Sequence, residues 1–255
     1  MKKRIVFVVF LLSSLSAVFA EDADMFADID REIAEQNRIE QEAASQKDSW
    51  SLFSGFAPSL FFTLAPNLMI NTDDATESAP SPIMYSLGVG GNFSFSSGIL
   101  FQTHLSFFTN YYLWDGDDAQ PAEVENRTST ALSFMFDVCT GYVWRFGSQK
   151  QQSISLAGGA GLFLRYGILS NGVAADDENR TTGTSASDDV SEINDWFYRD
   201  LHFFYPEIAL SYAYAISDTW SVGAQARVYI PLGSLLNGTG LDDMIVSLGV
   251  TLAYK

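Results

Sequence analysis

From Trp50 onward, apolar and polar residues alternate with a period of two, the repeat of a half-buried strand. Eight such segments run approximately Leu52–Ile70, Ile83–Phe95, Ile99–Trp114, Thr128–Phe146, Ser153–Leu169, Leu201–Ile216, Trp220–Pro231 and Met244–Tyr254. Each reaches the roughly 9–11 residues that a tilted strand needs to cross a bilayer. The connections alternate in length. Ser96-Ser97-Gly98, Gly147 to Gln152 and Ser217-Asp218-Thr219 are short, whereas Asn71–Pro82, Asp115–Arg127, Ser170–Asp200 and Leu232–Asp243 are long. This alternation is the pattern of an all-β, eight-stranded antiparallel up-and-down barrel. No stretch in this region reads as a long amphipathic helix.

The two faces of these segments differ in kind. In the last one, Met244, Val246, Leu248, Val250, Leu252 and Tyr254 oppose Ile245, Ser247, Gly249, Thr251 and Ala253. In the fourth, Leu132, Phe134, Phe136, Val138, Tyr142 and Trp144 oppose Ser133, Asp137, Gly141 and Arg145. The second face is small or polar and lacks the Lys and Glu of a soluble exterior. Asp137, Arg145, Arg165, Glu207 and Arg227 all lie on it, and no apolar face carries a charge. A lipid-facing Arg near the midplane would cost roughly 2–4 kcal/mol, so the sorting suits a transmembrane barrel with a narrow polar interior. A soluble lipocalin-like barrel would place the faces the other way round, and the Gly-rich polar face argues against it. The first segment is the least regular, with Phe53 and Phe61 opposite Leu60, Phe62 and Leu64. Aromatic residues gather near segment ends, as Tyr111, Tyr112 and Trp114, as Trp196, Phe197 and Tyr198, and as Trp144, Phe146 and Trp220. They predict two interfacial belts.

The N-terminus changes the picture in one respect. Met1-Lys2-Lys3-Arg4 is basic, Ile5–Leu12 is apolar, and small residues lead to Ala20, which reads as a signal peptide over residues 1–20. A membrane anchor competes with this reading, but the run is shorter than the ~20 residues of a spanning helix. Cleavage would change the net charge from −17 to −20, with 11 basic residues against 31 acidic ones. Such a chain is not expected to bind nucleic acid through phosphates. Residues 21–49 place Phe26, Ile29 and Ile33 at helical spacing and predict a short periplasmic helical segment or linker before a barrel domain spanning 50–255. Cys139 is the sole cysteine, so no internal disulfide forms.

The C-terminal residues Ser247-x-Gly249-x-x-Leu252-x-Tyr254 resemble the assembly signal of bacterial outer-membrane barrels, although Lys255 follows where many members end on the aromatic. The eight-segment layout resembles small barrels of the OmpX, OmpW and OmpA-transmembrane type. That likeness covers about Trp50 to Lys255 and is architectural. It implies an outer-membrane location after export across the inner membrane, a periplasmic N-terminus, and recognition by the barrel assembly machinery through Ser247, Gly249, Leu252 and Tyr254.

The candidate chemistry lies in the interior and in the long connections. Unpaired charges in a narrow lumen are costly, so pairing is expected between Glu207 and Arg165 or Arg227, and between Asp137 and a nearby arginine. The interior reads either as a structural plug of salt bridges or as a narrow ion path. His104 faces inward with Gln102 and Ser106. A lipid-modifying hydrolase built on that His–Ser–carboxylate set is the enzymatic alternative, but such a site must open to lipid. His202, at a segment start, is expected at the interface. The long connections are acidic, with Asp73-Asp74, Asp115 to Asp118, Asp176-Asp177-Glu178, Asp188-Asp189 and Asp242-Asp243 against Arg127, Arg180 and Arg199. They predict solubility, loose divalent-cation binding, and a host or extracellular ligand with basic patches. No segment has the spacing of an EF-hand. No cofactor and no defined metal site are expected. Pro58, Pro66 and Pro206 interrupt segments and, by resemblance to OmpW-type barrels, raise a sidewall opening for small apolar molecules.

The function that follows is an integral outer-membrane barrel with surface-exposed acidic loops and a structural, adhesive or ligand-binding role. A small passive channel for ions or small apolar molecules is the second reading, and an enzyme is not expected.

Overall fold

The alternating segments form strands β1 (Ala57–Ile70), β2 (Ile83–Ser94), β3 (Ile99–Trp114), β5 (Ser129–Phe146), β6 (Gln152–Leu169), β7 (Phe204–Ala215), β8 (Trp220–Tyr229) and β9 (Met244–Tyr254). Between β3 and β5 lies a short β4 (Ala119–Pro121), which pairs only with the end of β3. The computed structural model describes Glu35, Arg38 and residues 54–70, 83–122, 127–147, 150–179, 182–238 and 240–255. The chain divides into two units, Met1–Ser51 and Leu52–Lys255. In the first, Glu35 and Arg38 are helical, with Arg38 Nη2 3.5 Å from Glu35 Oε1. The predicted leader, the rest of the 21–49 segment and the 71–82 connection lie outside the described residues.

In the second unit every barrel strand is antiparallel to both neighbours, in the order β2-β1-β9-β8-β7-β6-β5-β3, and β3 returns to β2. The sheet is therefore a closed eight-stranded barrel. Its seam is β1 with β9, from Leu60↔Tyr254 to Ile70↔Met244. That ladder skips Ala65 and Pro66 and resumes in the same register, because Pro66 has no N–H to donate. Pro58 and Pro66 remain in register with β2, and Pro206 with Ala160 of β6, so only the β1–β9 seam is interrupted, over two residues at Pro66. The start of β1, the end of β9 and the three short turns share one end, here the turn end. The long connections lie at the other, the loop end. At the β2–β3 turn Gly98 has φ +94°, and a Cβ there would lie 2.3 Å from the Tyr142 ring. Only glycine fits both demands.

Period-two alternation becomes inside and outside. Along β3, Leu100, Gln102, His104, Ser106, Phe108 and Asn110 are buried in the lumen, while Phe101, Leu105 and Phe107 are exposed outward. The outer face is apolar all round, from Leu64 and Leu87 through Phe136 and Leu164 to Leu210 and Val250. So large a continuous apolar surface would aggregate in water. An eight-stranded barrel is just wide enough for side chains to fill, and Met69, Met84, Phe108, Met135, Phe163, Tyr205, Tyr229 and Ile245 form a buried cluster across it.

The long connections contain helices that alternation did not predict: α1 (Ala186–Tyr198) within 170–200, and α2 (Leu232–Asn237). Ser185 caps α1, accepting from the Asp188 N–H, and Asp188 and Asp189 lie in its first turn, where carboxylates favour the helix dipole. Ala186, Asp189, Ile193, Trp196 and Phe197 form its buried face. The aromatic belt at the loop end is accordingly a partial error. Tyr112, Trp114, Trp196 and Phe197 are buried together as a plug, because the connection folds back over the mouth. At the turn end Tyr142, Trp144, Phe146, Trp220 and Tyr254 do face outward.

Helix α1 also replaces a missing strand. β6 pairs with β7 only as far as Leu162↔Phe204, so the last seven residues of β6 have no strand on that side. The Phe163 N–H donates to Phe203 C=O at 2.8 Å, and the helix supplies partners for Arg165 and Gly167. Asn194 accepts from Gly167 N–H at 2.8 Å and donates to Gly167 C=O at 3.0 Å. Tyr198 OH accepts from Arg165 N–H at 3.1 Å and donates to Arg165 C=O at 2.5 Å. An uncovered edge would leave these groups unpaired. Asn194→Ala should cost about 1–3 kcal/mol of local stability through the exposed Gly167 backbone. Hydrogen exchange at the Gly167 and Arg165 amides should accelerate while the remaining barrel amides keep their protection. Unchanged exchange there would refute the surrogate-strand role.

Candidate functional site

The interior charges arise from four strands. Arg227 on β8 is fully buried. Its Nη1 donates to Asp137 Oδ1 on β5 at 2.8 Å and to Glu207 Oε1 on β7 at 2.6 Å. Its Nη2 donates to Gln102 Oε1 on β3 at 2.6 Å, and Gln102 in turn donates to Asn92 Oδ1 at 2.6 Å. The second Asp137 oxygen accepts from Tyr229 OH and lies 3.1 Å from His104 Nδ1. His104 Nε2 lies 2.9 Å from Thr63 Oγ1 on β1, and Cys139 Sγ donates to Glu207 Oε2 at 3.2 Å. With Asp137 ionised, Nδ1 carries the proton and a neutral ring accepts from Thr63 at Nε2. Gly88 makes room for this contact, since a Cβ there would lie 2.3 Å from His104 Nε2.

The expected residues divide among three places. Asp137, Glu207, Arg227 and His104 come together. Arg165 does not join them. The register Gly159↔Glu207 puts it six residues along β6 toward the loop end. There its guanidinium donates to Tyr112 OH at 3.0 Å and to His202 C=O at 2.7 Å, beneath the rings of Phe163 and Phe197 at 4.4 and 4.2 Å. It is a buried cation held by ring faces and carbonyl dipoles. Arg145 is exposed at the turn end and donates to Ser94 Oγ at 2.7 Å. The residues expected to form an assembly signal lie on β9, with Ser247 and Gly249 inward and Leu252 and Tyr254 outward.

The Thr63–His104–Asp137 relay has the order of a nucleophile, base and orienting acid, with Thr63 where Ser106 was expected. All three side chains are buried, Asp137 completely. Asp137, Cys139 and Glu207 place ligand atoms within 4.8 Å of one another. The guanidinium already bridges both carboxylates, and a metal would have to displace it. The set fits a buried ion pair.

The lumen is filled in layers. A polar funnel of about 170 Å³ opens at the turn end, lined in part by Asn92, Arg145, Lys150, Ser153 and Lys255. Gln102 and Gln225 form its floor. Above lie the Arg227 layer, the apolar cluster, the Arg165 cage and the α1 plug. At the loop end a smaller cavity of about 70 Å³ lies among Asp118, Gln120, Trp196, His202, Asn237, Asp242 and Asp243. His202 is buried there against Trp196, ring centroids 4.0 Å apart, contrary to the interfacial position expected. Burial first, then Arg165, lowers its pKa to about 4. Burial raises the Asp243 carboxyl to about 6, opposed by Arg165 and reinforced by Asp242 and Asp118.

No family model and no curated protein matches the chain. Among solved structures, Neisserial surface protein A aligns at TM-score 0.46 and 10% identity, covering 79% of this chain and 99% of that one. Ail, the attachment invasion locus protein of Yersinia pestis, aligns at 0.41 and 9%, covering 79% and 98%. A de novo designed transmembrane β-barrel aligns at 0.34 and 9%, covering 77% and 93%.

Thr63, Cys139 and Tyr229 were not foreseen in the network, although strand parity places each inward. The cluster's stability is testable. Arg227→Met leaves two buried carboxylates without their cation and should cost about 3–5 kcal/mol. Adding Glu207→Gln and Asp137→Asn should recover much of that loss. Urea unfolding of the refolded barrel in detergent measures both, and a triple variant no more stable than Arg227→Met would contradict the pairing.

Proposed function

We propose that the chain is an integral protein of a bacterial outer membrane, with a sealed lumen and a working surface at its loop end. The single observation that carries this is the filled interior under an apolar exterior. Lipid is the solvent that an all-round apolar wall with closed backbone pairing suits. The loop end is assigned to the outside, because short turns and both barrel termini lie at the other end, the arrangement of periplasmic turns and outer loops. The role is structural or adhesive, with the acidic loops offered to a host or extracellular ligand bearing basic patches. Assembly machinery would read Ser247, Gly249, Leu252 and Tyr254, of which Leu252 and Tyr254 face outward and are accessible.

The layered interior weighs against a passive channel, and the continuous wall weighs against a lateral portal. Burial of Thr63 and His104 weighs against lipid hydrolysis. Wild type in planar bilayers should give no reproducible current. Arg227→Ala, which removes one layer and leaves the apolar cluster and α1 plug, should also stay silent. A steady unitary conductance from the wild type would overturn the sealed-lumen reading. Purified protein should release no fatty acid from phospholipid vesicles, and release abolished by His104→Ala would restore the enzyme.

A further inference from the structure

Toward the turn end the bore widens because its inward residues become small. The register runs Val143↔Ser155, Ser155↔Ser211 and Ser211↔Gln225 at one level. Nearer the turn end it runs Arg145↔Ser153, Ser153↔Ala213 and Ala213↔Gly223. Serine, alanine and glycine stand here, where Met135, Phe163 and Tyr205 fill the barrel toward the loop end. The space they leave is the polar funnel of about 170 Å³. We propose that this funnel is a binding site for an anionic sugar, a single sugar unit bearing a carboxylate or a phosphate.

The charge of the funnel is the reverse of the chain's. The chain carries a net −17, yet Arg145, Lys150 and Lys255 line the funnel and no Asp or Glu side chain does. Lys255 also bears the terminal carboxylate, and setting that against its ammonium still leaves two cations. Asp218, the acidic residue of the β7–β8 turn, lies outside the lining. Arg145 Nη2 donates to Ser94 Oγ on β2 at 2.7 Å, which steadies the guanidinium and leaves its other N–H groups for a ligand. Lys150 and Lys255 make no ion pair among the described residues. A guanidinium fork beside an ammonium matches a carboxylate or a phosphate.

A second, independent observation lies in the floor. Gln225 is 5% exposed, and its side-chain amide makes no hydrogen bond among the described residues. It sits between Ser211 of β7 and Gly249 of β9 and lines the funnel. Buried amides are normally paired, so this one is left for what fills the funnel. Gln102, also in the floor, is by contrast occupied, donating to Asn92 and accepting from Arg227. On the wall, Ser153, Ser155, Ser211, Ser221 and Thr251 make no side-chain hydrogen bond among the described residues. Hydroxyls and an amide both donate and accept, which suits the hydroxyls of a sugar, while the cations suit its acid group. A bare phosphate would meet the cations and leave the wall unused. At roughly 10–15 Å³ per water the funnel holds about a dozen waters, the bulk of one sugar unit. The Arg227 layer closes the inner end, so the ligand enters and leaves at the turn end. On the orientation proposed above that end faces the periplasm, but the site itself does not rest on that orientation.

The experiment titrates the full mature chain, refolded in detergent, with glucuronate, glucose 6-phosphate, glucose and inorganic phosphate, and NMR reads the amides. Glucuronate or glucose 6-phosphate should bind saturably at roughly 1 mM, the value that ordinary binding efficiency per atom gives a ligand of this size. Whichever binds more tightly names the acid group. Shifts should fall on the Gln225 side-chain amide and on the Ser153 and Ser211 backbone, and not on Gly172 in the β6–β7 connection. Glucose and inorganic phosphate should each bind more weakly by roughly tenfold or more, since each lacks half of the recognition. Arg145→Gln with Lys150→Gln, both exposed side chains, should weaken the anionic sugar by a similar factor and leave glucose unchanged. Gln225→Met should weaken both sugars alike. Arg127→Gln, a cation removed at the loop end, should change nothing. The proposal is overturned if neither anionic sugar binds saturably up to roughly 10 mM. It is equally overturned if inorganic phosphate or glucose binds as tightly as they do, or if Arg127→Gln costs as much affinity as the Arg145/Lys150 variant. Failure of the sealed lumen would show as conductance and failure of this site as absent binding, so the two are distinguishable.

Discussion

In lipid, an unpaired backbone N–H or C=O has no water to turn to, so a sheet that crosses a bilayer must bond its last strand to its first. The β1–β9 ladder meets that requirement here, and much else follows from it. Closure at eight strands fixes a bore that side chains fill. Closure also divides each strand into residues that see lipid and residues that see one another. Interior polar groups must then find partners inside a volume that they cannot leave, and among the described residues Asn67 Nδ2, Arg165 Nε and Arg227 Nε find none.

Arg227 shows what that confinement does. Its guanidinium meets an acceptor on each of β3, β5 and β7, so a single cation ties four staves of the barrel at one level. Arg165 solves the same problem without a carboxylate, using ring faces, a phenol and a carbonyl. The two arginines bracket an apolar cluster. Together these layers make a closed rod, with the wide polar funnel on one side and the α1 plug on the other. Helix α1 extends the closure rule to the loop end, where Asn194 and Tyr198 stand in for the strand that β6 lacks.

The acidic loops gain meaning from that plug. Seen as composition, their carboxylates imply repulsion and solubility. Once α1 folds back and brings the connections together, Asp243 becomes a buried group beside Asp118 and Asp242. The concentration of negative charge is then local, and burial with the neighbouring Asp242 and Asp118 raises the Asp243 carboxyl to about 6.

Much of the fold was legible in the residues themselves. Period two is a property of the extended chain, so the strands, their lengths, the sign of each face and the alternation of short and long connections were all readable before any contact was known. The inward placement of Asp137, Glu207 and Arg227 followed by parity. Helix α1 carries a signal of its own, Ser185 and Asp188 ahead of Ile193, Trp196 and Phe197, but it is short beside eight alternating segments. Pairing partners were a different matter. Arg165 and Arg227 are equivalent in sequence, and only the stagger between β6 and β7 puts Arg165 far from Glu207. Likewise nothing local distinguishes Trp196 as a plug from Trp220 as a belt residue, or brings Asp118 near Asp243. Alternation is local and is written along one chain. Register, closure and the return of a loop over the barrel mouth depend on distances between segments, and those exist only once the sheet has closed.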